Sequence, residues 1–135
     1  TNYTSRPTNT SVLYCIKYEP TYFMEVTEHI YSYEERWVGN WVDGKPLYEK
    51  TVNFGALPNA TTKEVPHGIE NADVIWIHDG YMYNTSSGKY YVLSTISYHS
   101  LVDKNNLIVE TTADLRAAIA TFVVIYTKTT DQPLI

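Results

Sequence analysis

The chain has 135 residues, of which 44% are apolar and 19% charged, with 13 tyrosines and a formal charge of −5. That length suits one domain with a single core, in which folding removes roughly two-thirds of the unfolded surface from water. The acidic balance, with no sequence cluster of Lys or Arg, argues against nucleic acid as a partner. A single cysteine excludes an intrachain disulfide and any multi-cysteine metal site, and no apolar run approaches the roughly 20 residues of a membrane span.

Tyrosine and threonine favour pleated, half-buried surface, so the composition leans towards strands. With Thr1 first and no basic-then-apolar opening, the chain reads as a piece of something longer rather than as a secretory precursor. Residues 1–11, TNYTSRPTNTS, have little to bury and read as an extended arm. SVLYCIKY (11–18) and YFMEVTEHIYSY (22–33) are each a possible strand, with Cys15 as a small buried hydrophobe.

The Asp43-Gly44 pair predicts a two-residue type I′ hairpin. That register sets Trp41 opposite Pro46, Asn40 opposite Leu47, Gly39 opposite Tyr48 and Trp37 opposite Lys50. Trp37, Trp41 and Tyr48 would then share a face, with Lys50 against the Trp37 ring as a cation–π pair. Pro46 lacks an N–H and should leave a gap towards any third strand, placing the start of this strand at an edge.

A short strand is expected at 61–65, ended by Pro66-His67-Gly68, where His67 is held so that a ring N–H can reach a backbone carbonyl. DVIWIHD (73–79) is a strand with Val74, Trp76 and His78 on one side and Ile75 and Ile77 on the other, broken by Gly80. YMYN follows, and Ser86-Ser87-Gly88 turns the chain into KYYVLSTISYHS. Asp103 to Asn106 is another turn before LIVETT. Ala113–Ala117 could form one helical turn, and 118–128 is the last long strand. Short strands punctuated by turns, with no helical crossover and no repeat, predict an all-β antiparallel sandwich, jelly-roll-like or Greek-key, behind an extended N-terminal arm.

Chemistry is sparse. The hydrolase, phosphate-loop and calcium-loop patterns are missing. Glu34-Glu35 is the one adjacent acidic pair, and on a strand its side chains would diverge into solvent. His29, His67, His78 and His99 lack metal-ligand spacing, and His78-Asp79 should face apart. No metal or other cofactor is expected, and the chain reads as no enzyme. Asn2, Asn9, Asn59 and Asn84 begin N-x-[ST] sequons, as chance allows in a Thr- and Ser-rich chain. Tyr81, Tyr83, Tyr90 and Tyr91, near Trp76, flank a loop edge where rings could stack on a ligand; their number favours packing, and ligand contact is the alternative.

YSYEERWVGNWVDGKPLYEKTVNFGALPNATTKEVPHGIENADVIW, with IYTKTTD near the end, resembles a module of phage and prophage tail fibre and baseplate-associated proteins. The pattern W-x-D-G-K-P-x-Y-x-K-T, then T-T-K-x-V-x-H-G-I, then Y-T-K-T-T-D covers residues 31–131. The resemblance implies a β-rich tail module over 31–131, a preceding segment over 1–30 and a C-terminal tail at 132–135. It implies a virion location, a homotrimer, other tail proteins as partners and a host-surface glycan or protein as target. It implies no catalytic residues, and neither nucleic acid nor membrane insertion enters. On this reading Trp76, Tyr81, Tyr83 and Tyr90 contact the ligand, while Trp37, Trp41, Asp43, Gly44, Pro46, Tyr48, His67 and Gly68 hold the fold. The alternatives are a purely structural, trimerising or capping module and a glycan-degrading tail enzyme.

Overall fold

A computed structural model describes residues 29–133, so the expected arm, the strand at 11–18, most of that at 22–33, and Cys15 lie outside the described residues. Eight strands follow in order: β1 Arg36–Asn40, β2 Pro46–Ala56, β3 Thr62–Pro66, β4 Ala72–Asn84, β5 Lys89–Tyr91, β6 Tyr98–Val102, β7 Asn106–Thr111 and β8 Ala118–Lys128. They form a five-stranded sheet, β1-β2-β8-β4-β5, and a three-stranded sheet, β3-β7-β6. Every pairing is antiparallel. The two sheets pack on each other, which makes the all-β sandwich expected from composition and turn spacing.

The strand 118–128 is β8, at the centre of the larger sheet. Its alternate residues Ala118, Ala120, Phe122, Val124 and Tyr126 are buried in the core with Val52 and Phe54 of β2, Met82 of β4 and Leu107 and Val109 of β7. Phe54 meets Phe122 edge to face, 5.6 Å between ring centres, a geometry favoured by the ring quadrupoles. Residues 122 to 127 are all buried, which explains why this strand reads as a continuous apolar run rather than an alternating one.

The first hairpin departs from the expected register. Type I′ needs positive φ at both central residues, but here only Gly44 is left-handed, at φ 87°. The turn runs from Trp41 to Gly44, closed by Gly44 N–H to the Trp41 carbonyl at 2.9 Å and Trp41 N–H to the Lys45 carbonyl at 2.8 Å. Asp43 Oδ1 accepts the Lys45 N–H at 3.0 Å, so the aspartate serves a three-residue loop that demands only one positive φ. Asn40 therefore faces Pro46, Gly39 faces Leu47 and Trp37 faces Tyr48, with a bulge between Trp37 and Gly39.

The shared aromatic face dissolves with that shift. Trp41 lies against Trp76, 5.0 Å between centres, while Tyr48 turns inward and stacks on Tyr126 at 5.8 Å. Lys50 does not cover Trp37; its Nζ donates to the His67 carbonyl at 2.8 Å, and Lys128 Nζ sits 4.6 Å over the Tyr48 ring instead. Pro46 does leave its gap, because pairing of β2 with β8 starts only at Tyr48, although β2 itself is an interior strand.

Four further expectations change. Gly80 does not end its strand: β4 runs on to Asn84 because glycine lets the backbone approach β8, and a Cβ there would lie 2.5 Å from the Thr121 carbonyl oxygen. The 89–100 segment divides into β5 and β6 on different sheets, its hydroxyls bonding backbone between them, with Tyr98 to the Val92 carbonyl and Ser100 to the Leu93 carbonyl, both at 2.7 Å. Residues 113–117 form no helical turn; Asp114 pairs with Asn59 in an isolated bridge and grips the Arg116 guanidinium. Residues 29–33 are not strand, and there Ser32 offers its carbonyl to Thr51 N–H at 2.8 Å.

Candidate functional site

The outer face of the larger sheet is built by a change of parity in β4. Ile75 and Ile77 pack on the core, and a bulge between Ile77 and Asp79 then inserts one residue. After it Gly80 and Met82 point inward, leaving Asp79, Tyr81 and Tyr83 on the opposite face. Without the bulge, strict alternation from Ile77 would turn Asp79 and Tyr81 into the core.

Tyr83 and Tyr90 face each other across the β4–β5 hairpin, their rings 4.7 Å apart, and Tyr81 meets Tyr90 edge-on at 5.7 Å. Tyr81 and Tyr90 keep 45% and 67% of their surface exposed, so the three form a surface platform rather than a core cluster. The turn beneath them is rigidly made: Asn84 Oδ1 accepts the N–H groups of Ser86 and Ser87 at 2.9 and 3.0 Å, and Gly88 takes φ 73°. Trp76 is not part of the platform; it is half-buried against Trp41.

Beside the platform lies a groove of about 340 Å³ whose walls include Tyr31, Tyr33 and Tyr81, with Thr51, Asp79 and Thr121 as its polar groups and Val123 also in the lining. Asp79 Oδ1 accepts the Gly80 N–H at 2.8 Å. Thr51 Oγ1 is buried and is the one such side-chain atom without a partner among the described residues. The sequence pointed to Tyr81 but missed Tyr31, Tyr33, Thr51 and Asp79. Only a repeated tyrosine in Y-S-Y could have drawn notice to the first two.

The polar residues of the first hairpin, the Pro66-His67-Gly68 turn and the end of β8 are held by hydrogen bonds and ion pairs. Glu35 is not simply solvated: Oε1 accepts the Tyr126 hydroxyl at 2.6 Å and Oε2 accepts Lys128 Nζ at 2.7 Å. Tyr48 donates to Asp131 at 2.7 Å, and Lys45 reaches Asp73 at 3.0 Å. His67 is buried, with Nδ1 accepting Ile69 N–H at 3.1 Å, so Nε2 carries the proton that meets the Asp103 carbonyl at 2.9 Å. This is the kind of carbonyl partner its turn position called for. Gly68 follows at φ 74°, where an added Cβ would come within 3.2 Å of Lys50 Nζ. These contacts tie residues 35 to 50 to the turn at 67–68 and to the end of β8 and Asp131.

The hydrogen bond to Asp131, helped by burial, pushes the Tyr48 phenol up to about 12. Burial first, and then the Glu35 carboxylate, raises that of Tyr126. A phenol raised by folding keeps its proton while the unfolded chain loses it near pH 10, so stability is intact below pH 10 and falls above it, for Tyr48 through about pH 12. Absorbance titration of the native protein should therefore show tyrosines that ionise later than in the denatured chain. The lag should shrink in Tyr48→Phe; if native and denatured curves coincide, these hydrogen bonds are absent in solution.

Fold and surface thus define an all-β sandwich with a tyrosine platform and an adjoining groove on one sheet. No family model, curated protein or solved structure matches the chain.

Proposed function

We propose that the chain is a non-enzymatic host-attachment module of a phage tail that holds surface glycan on the β4–β5 tyrosines. The observation that carries this reading is the surface cluster of exposed Tyr81 and Tyr90 with half-buried Tyr83 against Tyr90, held on a hairpin whose turn is fixed by Asn84 and Gly88. Exposed aromatic faces on a rigid support bind with little loss of side-chain freedom. The commitment of Glu35 to Tyr126 and Lys128 favours a structural part over a catalytic one for the Glu34-Glu35 pair. In this reading the module sits in the virion, as a trimer beside other tail proteins.

The full chain should adhere to host cells or immobilised host glycan, and Tyr83→Ala with Tyr90→Ala should weaken adhesion at least about tenfold. Unchanged adhesion in the double variant would move the contact elsewhere, and failure of the unaltered chain to adhere to any bacterial surface would remove the reading.

A second reading, a purely structural module, is favoured by the first hairpin. β1 is a sheet edge, and Trp37 and Val42 on it and its turn are 64% and 85% exposed. A second copy covering that edge would bury at least about 1,000 Å² in total. Light scattering should then report an oligomer that Trp37→Lys dissociates; a monomer at all concentrations excludes it.

A further inference from the structure

We propose that the groove between Tyr31, Tyr33 and Tyr81 seats a single neutral pyranose ring and discriminates against acidic sugars, with Asp79 as the specificity-determining residue. The inference rests on the attachment reading and deepens it by naming the ligand class. Three observations carry it. The groove measures about 340 Å³, at the small end of the roughly 300–1,000 Å³ typical of ligand sites. Three of its eight lining residues are tyrosines, and aromatic faces pack on the C–H face of a sugar while leaving the sugar's hydroxyls free to bond sideways.

Charge then selects among sugars. Asp79 is the one ionised group in the lining, and no Lys, Arg or His accompanies it. Its Oδ1 accepts the Gly80 N–H at 2.8 Å, while Oδ2 can accept hydroxyl protons. A hydroxyl donating to a carboxylate makes a charge-assisted hydrogen bond, stronger than a neutral one. A uronate or sialate would instead bring a second negative charge beside Asp79 with no cation to compensate it, in a chain already at −5.

The test uses the full chain and saturation-transfer NMR with methyl glycosides of glucose, galactose, mannose and N-acetylglucosamine, set against those of glucuronic and N-acetylneuraminic acid. At neutral pH at least one neutral glycoside should bind saturably, and the acidic pair at least about tenfold more weakly. Asp79→Asn retains an acceptor for the Gly80 N–H. It should weaken neutral binding about tenfold and erase the penalty on the acidic sugars. Tyr33→Ala should abolish binding without altering the thermal midpoint.

Equal or tighter binding of the acidic glycosides overturns the proposal, as does wild-type behaviour of both variants. Glycan binding that falls only in the Tyr83→Ala and Tyr90→Ala variant overturns the groove and leaves the attachment reading standing. Adhesion to bacteria with no glycoside bound also overturns the groove; it keeps host attachment but replaces glycan with a protein receptor. No adhesion and no glycoside bound removes both.

Discussion

Phe122→Ala is expected to lower folding stability by about 3–5 kcal/mol, because the site combines full burial with neighbours that cannot collapse into the space. Phe122 has no exposed surface and stands in the central strand, between Val52 of β2 and Gly80 of β4. Gly80 carries no side chain that could move into the gap, and the Phe54 ring would lose the partner it meets edge-on. Strands on both sides hold the backbone of β8 in place, so removing the ring leaves a cavity rather than a rearranged core. Urea unfolding followed by far-ultraviolet dichroism gives the measurement, and the slope should be unchanged if the loss is local. Ile119→Ala on the same strand, at a site 43% exposed, is the comparison. A surface change of this kind should cost no more than about 0.5 kcal/mol, and equal losses at both sites would show that β8 is not the core strand.

How much of this was legible in the sequence depended on how local the cause was. β8 could be read to its ends because a run of β-branched and aromatic residues buried on both faces has no other comfortable form. The tyrosine platform was legible for the same reason: Tyr81, Tyr83 and Tyr90 lie within ten residues of one another around one turn. The first hairpin was misread by one position because Asp-Gly fits two loops. One uses positive φ at both residues and the other at glycine alone, and the carboxylate of Asp43 favours the second by taking the Lys45 N–H. The sequence cannot display that bond.

The groove was out of reach for a different reason. Its walls come from residues 31, 33, 51, 79–81, 121 and 123, which are brought together only when the connection before β1, β2, β4 and β8 lie side by side. Its carboxylate was hidden by the β4 bulge, since alternation counted from Ile75 and Ile77 assigns Asp79 to the core face. The residues around W-V-D-G-K-P and Y-T-K-T-T-D, by contrast, make a set of closing bonds in the folded chain, Tyr48 to Asp131, Tyr126 and Lys128 to Glu35, and Lys50 to His67. Such residues hold the sheets in register without lining the groove, Thr51 excepted.

Gly80→Val is expected to be as damaging as the loss of Phe122, and for a reason that joins the fold to the groove. At Gly80 the backbone has φ 146°, which side-chain-bearing residues rarely adopt, and a Cβ would lie 2.5 Å from the Thr121 carbonyl oxygen and 3.0 Å from Phe122 Cα. Both obstacles are backbone atoms of the central strand, so the clash cannot be relieved by turning a side chain. Strain at such a φ costs about 1–3 kcal/mol and forcing extra atoms into a packed site about as much again, giving a total on the order of 3 kcal/mol or more. Gly80→Ala should lose most of the same amount, because the Cβ alone makes the contact; a loss of under about 1 kcal/mol in Gly80→Ala would show that β4 and β8 do not approach this closely. The variants also test the site. If β4 yields by shifting its bulge, Asp79 and Tyr81 leave the groove wall, and glycoside binding should fall more steeply than the folded fraction measured in the same sample. Binding that tracks the folded fraction alone would mean that Gly80 supports the core without setting the position of Asp79.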